Sequence, residues 1–516
     1  MLKDEKTYNR DNGQDEKEIN NMNEFLKAMK NEFNYGYTEN SGITHKSTLN
    51  SVLDMFAMGG SMRNRAEEDI IRMFKKAYHE DATLALRCLF YLRDIRGGQG
   101  QRRFFRTCFK WLADYDRAEA VHLIPFVATY GRYDDLFVLD GTSCELDMFN
   151  YLHTTVLENE DHLVYKWLKS ENCSSAESKR IARKTREAFG MTPREYRKML
   201  SDGRKACKLV ETLMSQQRWN EIEFNKLPSR AGLLYKNAFI RREETRERYA
   251  AFMENKETKV NAGALNPVDI AHQIFQSWRP SNAERLAWDK YWESLPDYYN
   301  GRKEPGIAVV DVSGSMSGTP MEAAVSMGAY IAERGNGPFK NHFITFSSEP
   351  KLVEFDGYDV YEKFKRAEDA DWGNNTNIAA VFDLLLNTAI KNRVSQEEMP
   401  KTLYIFSDME FDRCVSTDSS DDLWWRKDTR KEIDTVIEAQ GKKWKQYGYD
   451  LPRIIFWNLD ARTNNIPALD GAFSYVSGFS PVMISTILGG KDGWDLCLEK
   501  LNSDRYSVIT SVGGVK

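Results

Sequence analysis

Paired cysteines are missing from this chain. Its seven cysteines, Cys88, Cys108, Cys144, Cys173, Cys207, Cys414 and Cys497, stand far apart, and no two have CxxC spacing. An odd, scattered set argues against a zinc cluster and against a disulfide framework, and fits a reduced, cytoplasmic setting. Long apolar runs are missing too. No stretch approaches the ~18 residues a membrane span needs, so no membrane partner is expected. The first twenty residues, MLKDEKTYNRDNGQDEKEIN, are polar and carry both charge signs, without the apolar centre of a secretory signal. The seven histidines make no HExxH pattern, and GxxxxGK[ST] does not occur. No nucleophile–base pair stands out, so the chain does not read as an enzyme.

What is present supports a large folded protein. Of 516 residues, 41% are hydrophobic and 29% charged, enough apolar material for a core spread over more than one domain. The net charge of −5 hides an asymmetry. Residues 1–300 carry a net +2 and residues 301–516 a net −7, while 166–208 alone holds 13 basic and 5 acidic residues. A mildly acidic chain can therefore still present a basic face.

Residues 1–35 are polar and Asn-rich, with one short helix expected near 22–32. From about 46 to 300 apolar positions recur at helical spacing, as in Leu53, Phe56 and Ala57, or Ile70, Ile71, Phe74 and Ala77. Breakers are sparse and no repeat period is evident, so 36–300 reads as an α-solenoid or an irregular bundle. The pattern changes near Pro305. Strands are expected at 306–312, 342–346, 403–406 and 453–459, with helices at 320–334, 378–392 and 428–447 between them. Thr319 reads as the cap of the first. Such alternation in 301–516 predicts an α/β domain with a doubly wound, mostly parallel sheet, which binds ligands at the carboxyl ends of its strands.

Asp311-Val-Ser313-Gly-Ser315 follows the first of these strands. One carboxylate and two hydroxyls form a hard-oxygen set suited to Mg²⁺ or Mn²⁺. Thr376, before a helix in Trp372-Gly-Asn-Asn-Thr-Asn377, and Asp408, at the end of the third strand, should reach the same edge. A polar turn capping a helix is the alternative for Asp-x-Ser-x-Ser taken alone. Together the five residues resemble the metal-ion-dependent adhesion site (MIDAS) of the von Willebrand factor A domain, over roughly 301–490. The resemblance implies that Ser313, Ser315 and Thr376 ligate more directly, that Asp311 and Asp408 act mostly through waters, and that one position stays open for a partner's oxygen. Glu410 and Asp412 add negative charge nearby, either for a second cation or as solvated loop charges.

Two basic stretches form the other signal. Arg87, Arg93, Arg96, Arg102, Arg103 and Arg106 surround Gly97-Gly-Gln-Gly100, a Gly-rich loop opening a helix, which suits an anion. Lys179, Arg180, Arg183, Lys184 and Arg186 lead a second stretch that runs on to Lys208. Solvated charged faces are the alternative for both. The segment Tyr91-Leu-Arg-Asp-Ile-Arg-Gly-Gly-Gln-Gly-Gln-Arg-Arg103 and the stretch Leu53–Arg63 resemble TROVE-type helical-repeat (HEAT-like) proteins. Leu227-Pro-Ser-Arg-Ala, Asn261–Pro267, Phe406–Asp412 and Ile455-Phe-Trp-Asn458 are similar to a family of unknown function in plants, large viruses and phages. A helical domain followed by a von Willebrand A domain is the order of the Ro ribonucleoproteins. That resemblance implies a monomeric scaffold that binds RNA, either the single-stranded ends of misfolded RNA or structured small non-coding RNA. Arg93, Arg96, Arg102 and Arg103 would contact phosphates, and the 179–186 stripe would extend the track. A metal-dependent protein-interaction module, capturing an acidic partner residue, and a metal-dependent hydrolase are the other readings.

Overall fold

A computed structural model describes residues 29–159, 161–302, 304–346, 349–355, 359–368, 376–412, 435–469 and 472–513. Residues 1–28, Trp372 to Asn375, Cys414 and the first part of the helix expected at 428–447 lie outside them.

Between residues 51 and 293 the chain is a succession of helices. Each forms for legible local reasons. Asn50 caps Ser51–Met58 by accepting from the Leu53 amide at 2.8 Å. Three acids open Glu67–Glu80, whose Ile70, Met73, Phe74 and Ala77 make one buried face. Thr192 and Glu195 form a capping box, with Pro193 as the first residue of Pro193–Ala206.

The α/β region holds a six-stranded sheet. Its strands are β3 (Gly306–Asp311), β4 (His342–Phe346), β5 (Lys351–Glu354), β6 (Thr402–Ser407), β7 (Arg453–Asn458) and β8 (Phe473–Ser477), after a separate hairpin of β1 (Tyr35–Tyr37) and β2 (Ile43–His45). The order is β5-β4-β3-β6-β7-β8, parallel except for the β4–β5 pair. Connections run one way from β3 to β4 and the other way to β6, so the sheet's switch point lies between the carboxyl ends of β3 and β6. The expected strands all form, within a residue or so of the ends read from the sequence. Helices Thr319–Arg334 and Ile378–Asn392 form as well, and Val436–Gln446 lies within the third. Gly318, at φ +83°, takes the cap position in place of Thr319, which is the first helical residue.

Two strands escape the sequence pattern. β5 is a short, largely exposed antiparallel edge. β8 is buried at all five positions yet carries two serines, so neither alternation nor an apolar run marks it. The hairpin β1–β2 is a further difference. It falls where the helical region was expected to begin, and it packs on the α/β region instead, through backbone bridges from Ser41 to Asp412 and from His45 to Ile466.

The two regions share one apolar core, running from Val52 to Ile509. The helical region touches the α/β region at both its ends. Helix Ser51–Met58 lies on β8, while Pro267–Phe275 lies on Thr319–Arg334 and Asn282–Glu293 on Val360–Glu368. Polar bonds reinforce the first seam. Ser477 Oγ accepts from the Gly60 amide and donates to the Phe56 carbonyl, both at 2.9 Å. No helix among the described residues is long and apolar enough to cross a membrane.

Candidate metal centre

The carboxyl ends of β3 and β6 deliver Asp311 and Asp408 side by side, each 1% exposed or less. Asp311 Oδ1 accepts from the Ser313 amide at 2.9 Å, and its Oδ2 accepts from Ser407 Oγ at 2.6 Å. Asp408 Oδ1 accepts from the Glu410 amide at 3.1 Å. Ser313 Oγ and Ser315 Oγ lie 3.0 Å apart. Burial, and then the neighbouring Asp408, push the Asp311 carboxyl well above the ordinary carboxylate range. Two buried carboxylates at one sheet edge repel each other, a cost that a positive charge beside them reduces.

Thr376 is buried as well and belongs to the adjoining layer. Its carbonyl accepts from the Asp412 amide at 3.1 Å. Asn40 Nδ2 donates to Thr376 Oγ1 at 3.3 Å and to the Glu410 carbonyl at 2.6 Å. The β1–β2 turn is thus laid along the site. Gly42 is required there, because a Cβ would run into the Phe411 carbonyl.

Glu410 is not a solvated loop charge. It is 1% exposed, accepts from the Glu39 amide at 2.6 Å and from Thr463 Oγ1 at 2.5 Å, and burial raises its pKa. Arg462, just beyond β7, was also not evident from the sequence. Its Nη2 donates to Asp408 Oδ2 at 2.6 Å, and its Nη1 lies 3.0 Å from Glu39. Burial works against the Arg462 charge, but Asp408, Glu39, Glu410 and Asp460 outweigh it and raise its pKa. One signal for Arg462 was available: it lies in the short loop after β7, on the edge where Asp408 follows β6.

The donor set fits a small hard cation. Ser313 Oγ and Ser315 Oγ are hydrogen-bonded to each other at 3.0 Å, a separation that two oxygens bound at right angles to a small cation at about 2.1 Å also have. The set is rich in hydroxyls. No group of three or more His, Cys, Asp or Glu side chains suited to a metal occurs among the described residues.

The basic residues have different fates. Arg93 is 1% exposed and donates twice to Asp135, from Nε at 2.8 Å and Nη2 at 2.6 Å. Arg103 donates to the Arg63 carbonyl at 3.1 Å and to that of Arg65. Arg180 pairs with Asp140 and Glu177, Lys184 with Asp140 and Glu145, and Arg186 with Glu171 and Glu187. Arg96 and Arg183 are exposed, Arg102 and Lys179 half-buried, and none of these four has an ion pair among the described residues. The Gly-rich loop is a seam. The Gln99 amide donates to the Tyr91 carbonyl at 3.2 Å, and Gln99 Oε1 accepts from the Ser480 amide at 3.1 Å.

Comparison with known proteins matches this division. A domain of unknown function, DUF7788, matches residues 305–505, and a second, DUF2828, matches 38–124 and 153–297. Over 508 residues the chain is 30% identical to an uncharacterized protein of Acanthamoeba polyphaga mimivirus, with 89% of this chain and 85% of the viral protein covered. The chain therefore belongs to the family of that mimivirus protein, and within it a DUF2828-type helical region precedes a DUF7788-type α/β region.

Proposed function

We propose that the chain is a non-catalytic binding scaffold whose α/β region is a von Willebrand A-type domain with a Mg²⁺- or Mn²⁺-dependent ligand site. The observation that carries this reading is the convergence of Asp311, Ser313, Ser315 and Asp408 at the switch point, with Thr376 in the adjoining layer. Ser313, Ser315 and Thr376 would hold the cation, with Asp311 and Asp408 supplying charge behind them. The cation would supply a Lewis-acidic position for a carboxylate or phosphate oxygen of a partner. The chain's own residues position that cation and exclude bulk water, and no residue is assigned a catalytic role. Calorimetric titration of the full chain with Mn²⁺ tests this. Saturable binding, lost in Ser313→Ala/Ser315→Ala at unchanged melting temperature, is expected. Equal binding by that variant would sink the reading.

RNA binding by a HEAT-like, Ro-type helical domain is the second reading, favoured by the four basic residues without ion pairs, Arg96, Arg102, Lys179 and Arg183. A cytoplasmic monomer is the matching setting. Filter binding of single-stranded and hairpin RNA over a salt series is the test. A steep fall of log K with log salt is expected, weakened by Arg96→Ala/Arg183→Ala. No RNA retention at low salt would remove this reading and leave the first untouched.

A further inference from the structure

A cavity of about 570 Å³ lies between the two regions, and none of Asp311, Ser313, Ser315, Thr376 or Asp408 lines it. Its walls come from the segments around Arg63 and Arg102, from Arg132, from residues between Arg230 and Gln273, and from Thr319 and Phe479 of the α/β region. That volume is in the range of sites for small organic ligands.

The cavity is built for an anion. Arg63, Arg93, Arg102, Arg132 and Arg230 all line it, against one carboxylate, Asp269. Asp269 is taken by Arg230 at 3.1 Å, and Arg93 by Asp135. Arg63, Arg102 and Arg132 are left without an ion pair among the described residues. Arg63 is stacked over Phe479, 3.4 Å from the ring centroid, with Nη2 donating to the Gly60 carbonyl at 3.3 Å, which fixes the guanidinium at the cavity wall. Burial, and then the nearby Arg102, work against the charge of Arg132, which Asp134 and Asp135 only partly offset.

Backbone dipoles add to the same field. Helices Arg102–Tyr115 and Thr319–Arg334 both begin at the cavity wall, through Gln101, Arg102 and Thr319, and neither has a side-chain cap. Uncapped first-turn amides are donors waiting for an acceptor, and their partial positive charge favours a phosphate. The stretch from Arg230 to Gln273 adds apolar surface through Leu233, Leu265 and Val268, beside the exposed Leu234, interleaved with Asn266, Asp269, His272 and Gln273. A bare phosphate ion would leave that surface unused. A ligand with a phosphate at one end and a flat, weakly polar body at the other uses both.

We propose that this cavity binds a nucleoside phosphate, its phosphate among Arg63, Arg102 and Arg132 and its base against Leu233, Leu234 and Val268. The site shares Arg102 with the second reading above and requires neither the cation centre nor the 179–186 stripe. The nucleotide can be free or can be the phosphorylated end of a strand. Both present the same chemistry to the wall.

Calorimetry on the full chain in EDTA tests the site, with 5′-AMP, adenosine and inorganic phosphate as probes. Saturable AMP binding, at least tenfold tighter than either fragment, is expected. Arg102→Ala and Arg132→Ala should each weaken it about tenfold, while Lys75→Ala, at an exposed position of helix Glu67–Glu80, leaves it unchanged. The residues chosen make no ion pairs, and unchanged melting temperatures would confirm that the variants fold. Displacement of AMP by a 3′-phosphorylated oligoribonucleotide would assign the site to a strand end, and failure to displace would assign it to the free nucleotide. Absence of saturable AMP binding at millimolar concentration, or equal binding by the Arg102→Ala/Arg132→Ala double variant, would overturn the proposal. Inorganic phosphate binding as tightly as AMP would overturn the base-binding part. An Mn²⁺ titration of the same samples keeps the two sites distinguishable.

Discussion

The carboxyl edge of the sheet and helix Ala176–Ala188 are both crowded with charge, and they use it in opposite ways. At the edge, Asp311, Asp408 and Glu410 are almost fully buried, and Arg462 is the cation hydrogen-bonded there among the described residues. On the helix, Arg180, Lys184 and Arg186 face solvent in part, and each already meets acids from neighbouring segments, at Asp140, Glu145 and Glu171. Exposed pairs of that kind are worth roughly 0–1 kcal/mol. Buried like charges are costly until something compensates them. Density of charge along the sequence is thus a poor guide to available charge. Position in the topology is a better one, because strand ends cannot avoid bringing their residues together.

The largest effect should come from a charge that is buried and fully used. Asp135 accepts from Arg93 and, on its other oxygen, from Arg106 Nε at 2.6 Å. Asp135→Ala would strand the Arg93 guanidinium in the core and should cost about 3–5 kcal/mol. Arg183→Ala, on the exposed stripe, should change stability by less than about 0.5 kcal/mol. Thermal melting followed by circular dichroism compares the two. Similar melting temperatures would erase the distinction between buried and exposed charge drawn above.

The Gly-rich loop gives the next effect. Its neighbours invite an anion-loop reading, but at Gly98 an added Cβ would run into the Tyr91 carbonyl. Gly98→Ala should cost about 1–3 kcal/mol through forced backbone movement. Limited proteolysis near residue 98 should accelerate in step. An unchanged melt and digest would show that Gly98 is not needed to join the two regions.

A smaller effect is expected at the sheet edge. Arg462 places its positive charge on Asp408, where it opposes a second cation. Arg462→Gln should tighten Mn²⁺ binding about fivefold to tenfold, a gain of about 1–1.4 kcal/mol. Weaker binding in this variant would mean that the guanidinium orders Asp408 for the metal instead of competing with it.

Much of this arrangement can be read from residue order. Asp311 and Asp408 each end a β-branched or aromatic apolar strand, and parallel strands place such ends on one edge whatever the packing. Ser313, Ser315 and Thr376 follow because each lies just outside a strand or before a helix. The remainder depends on contacts distant in sequence. Asn40 reaches Thr376 across 336 residues, and nothing near it in the chain announces that. Arg93 sits among five other arginines and alone of them is fully buried, because Asp135 comes from another turn of the helical region. β5 has too few inward positions to show a period.

The last prediction concerns the seam where the carboxyl end of the chain returns to the first helices. Asp94, fully buried, accepts from Tyr506 Oη at 2.9 Å and from Arg505 Nη2 at 2.7 Å. Lys500 lies beside the rings of Tyr91 and Tyr506, at 5.8 and 5.9 Å from their centroids. Burial, only partly offset by Asp94, pulls the Lys500 ammonium down to about 8 from an ordinary 10.5. The folded state therefore binds fewer protons than the unfolded chain between about pH 8 and 10.5. Over that window this lysine makes stability rise with pH, and below about 8 its penalty is constant. Lys500→Met removes the contribution. The melting temperature of the wild type relative to this variant should climb as pH goes from 8 to 10 and stay flat from 6 to 7.5. Tyrosines and thiols titrating in the same range cancel in the difference. A difference that falls over that window would mean that Asp94 outweighs burial in setting the charge of Lys500, and that the seam, like the exposed helix and unlike the sheet edge, has its charges matched.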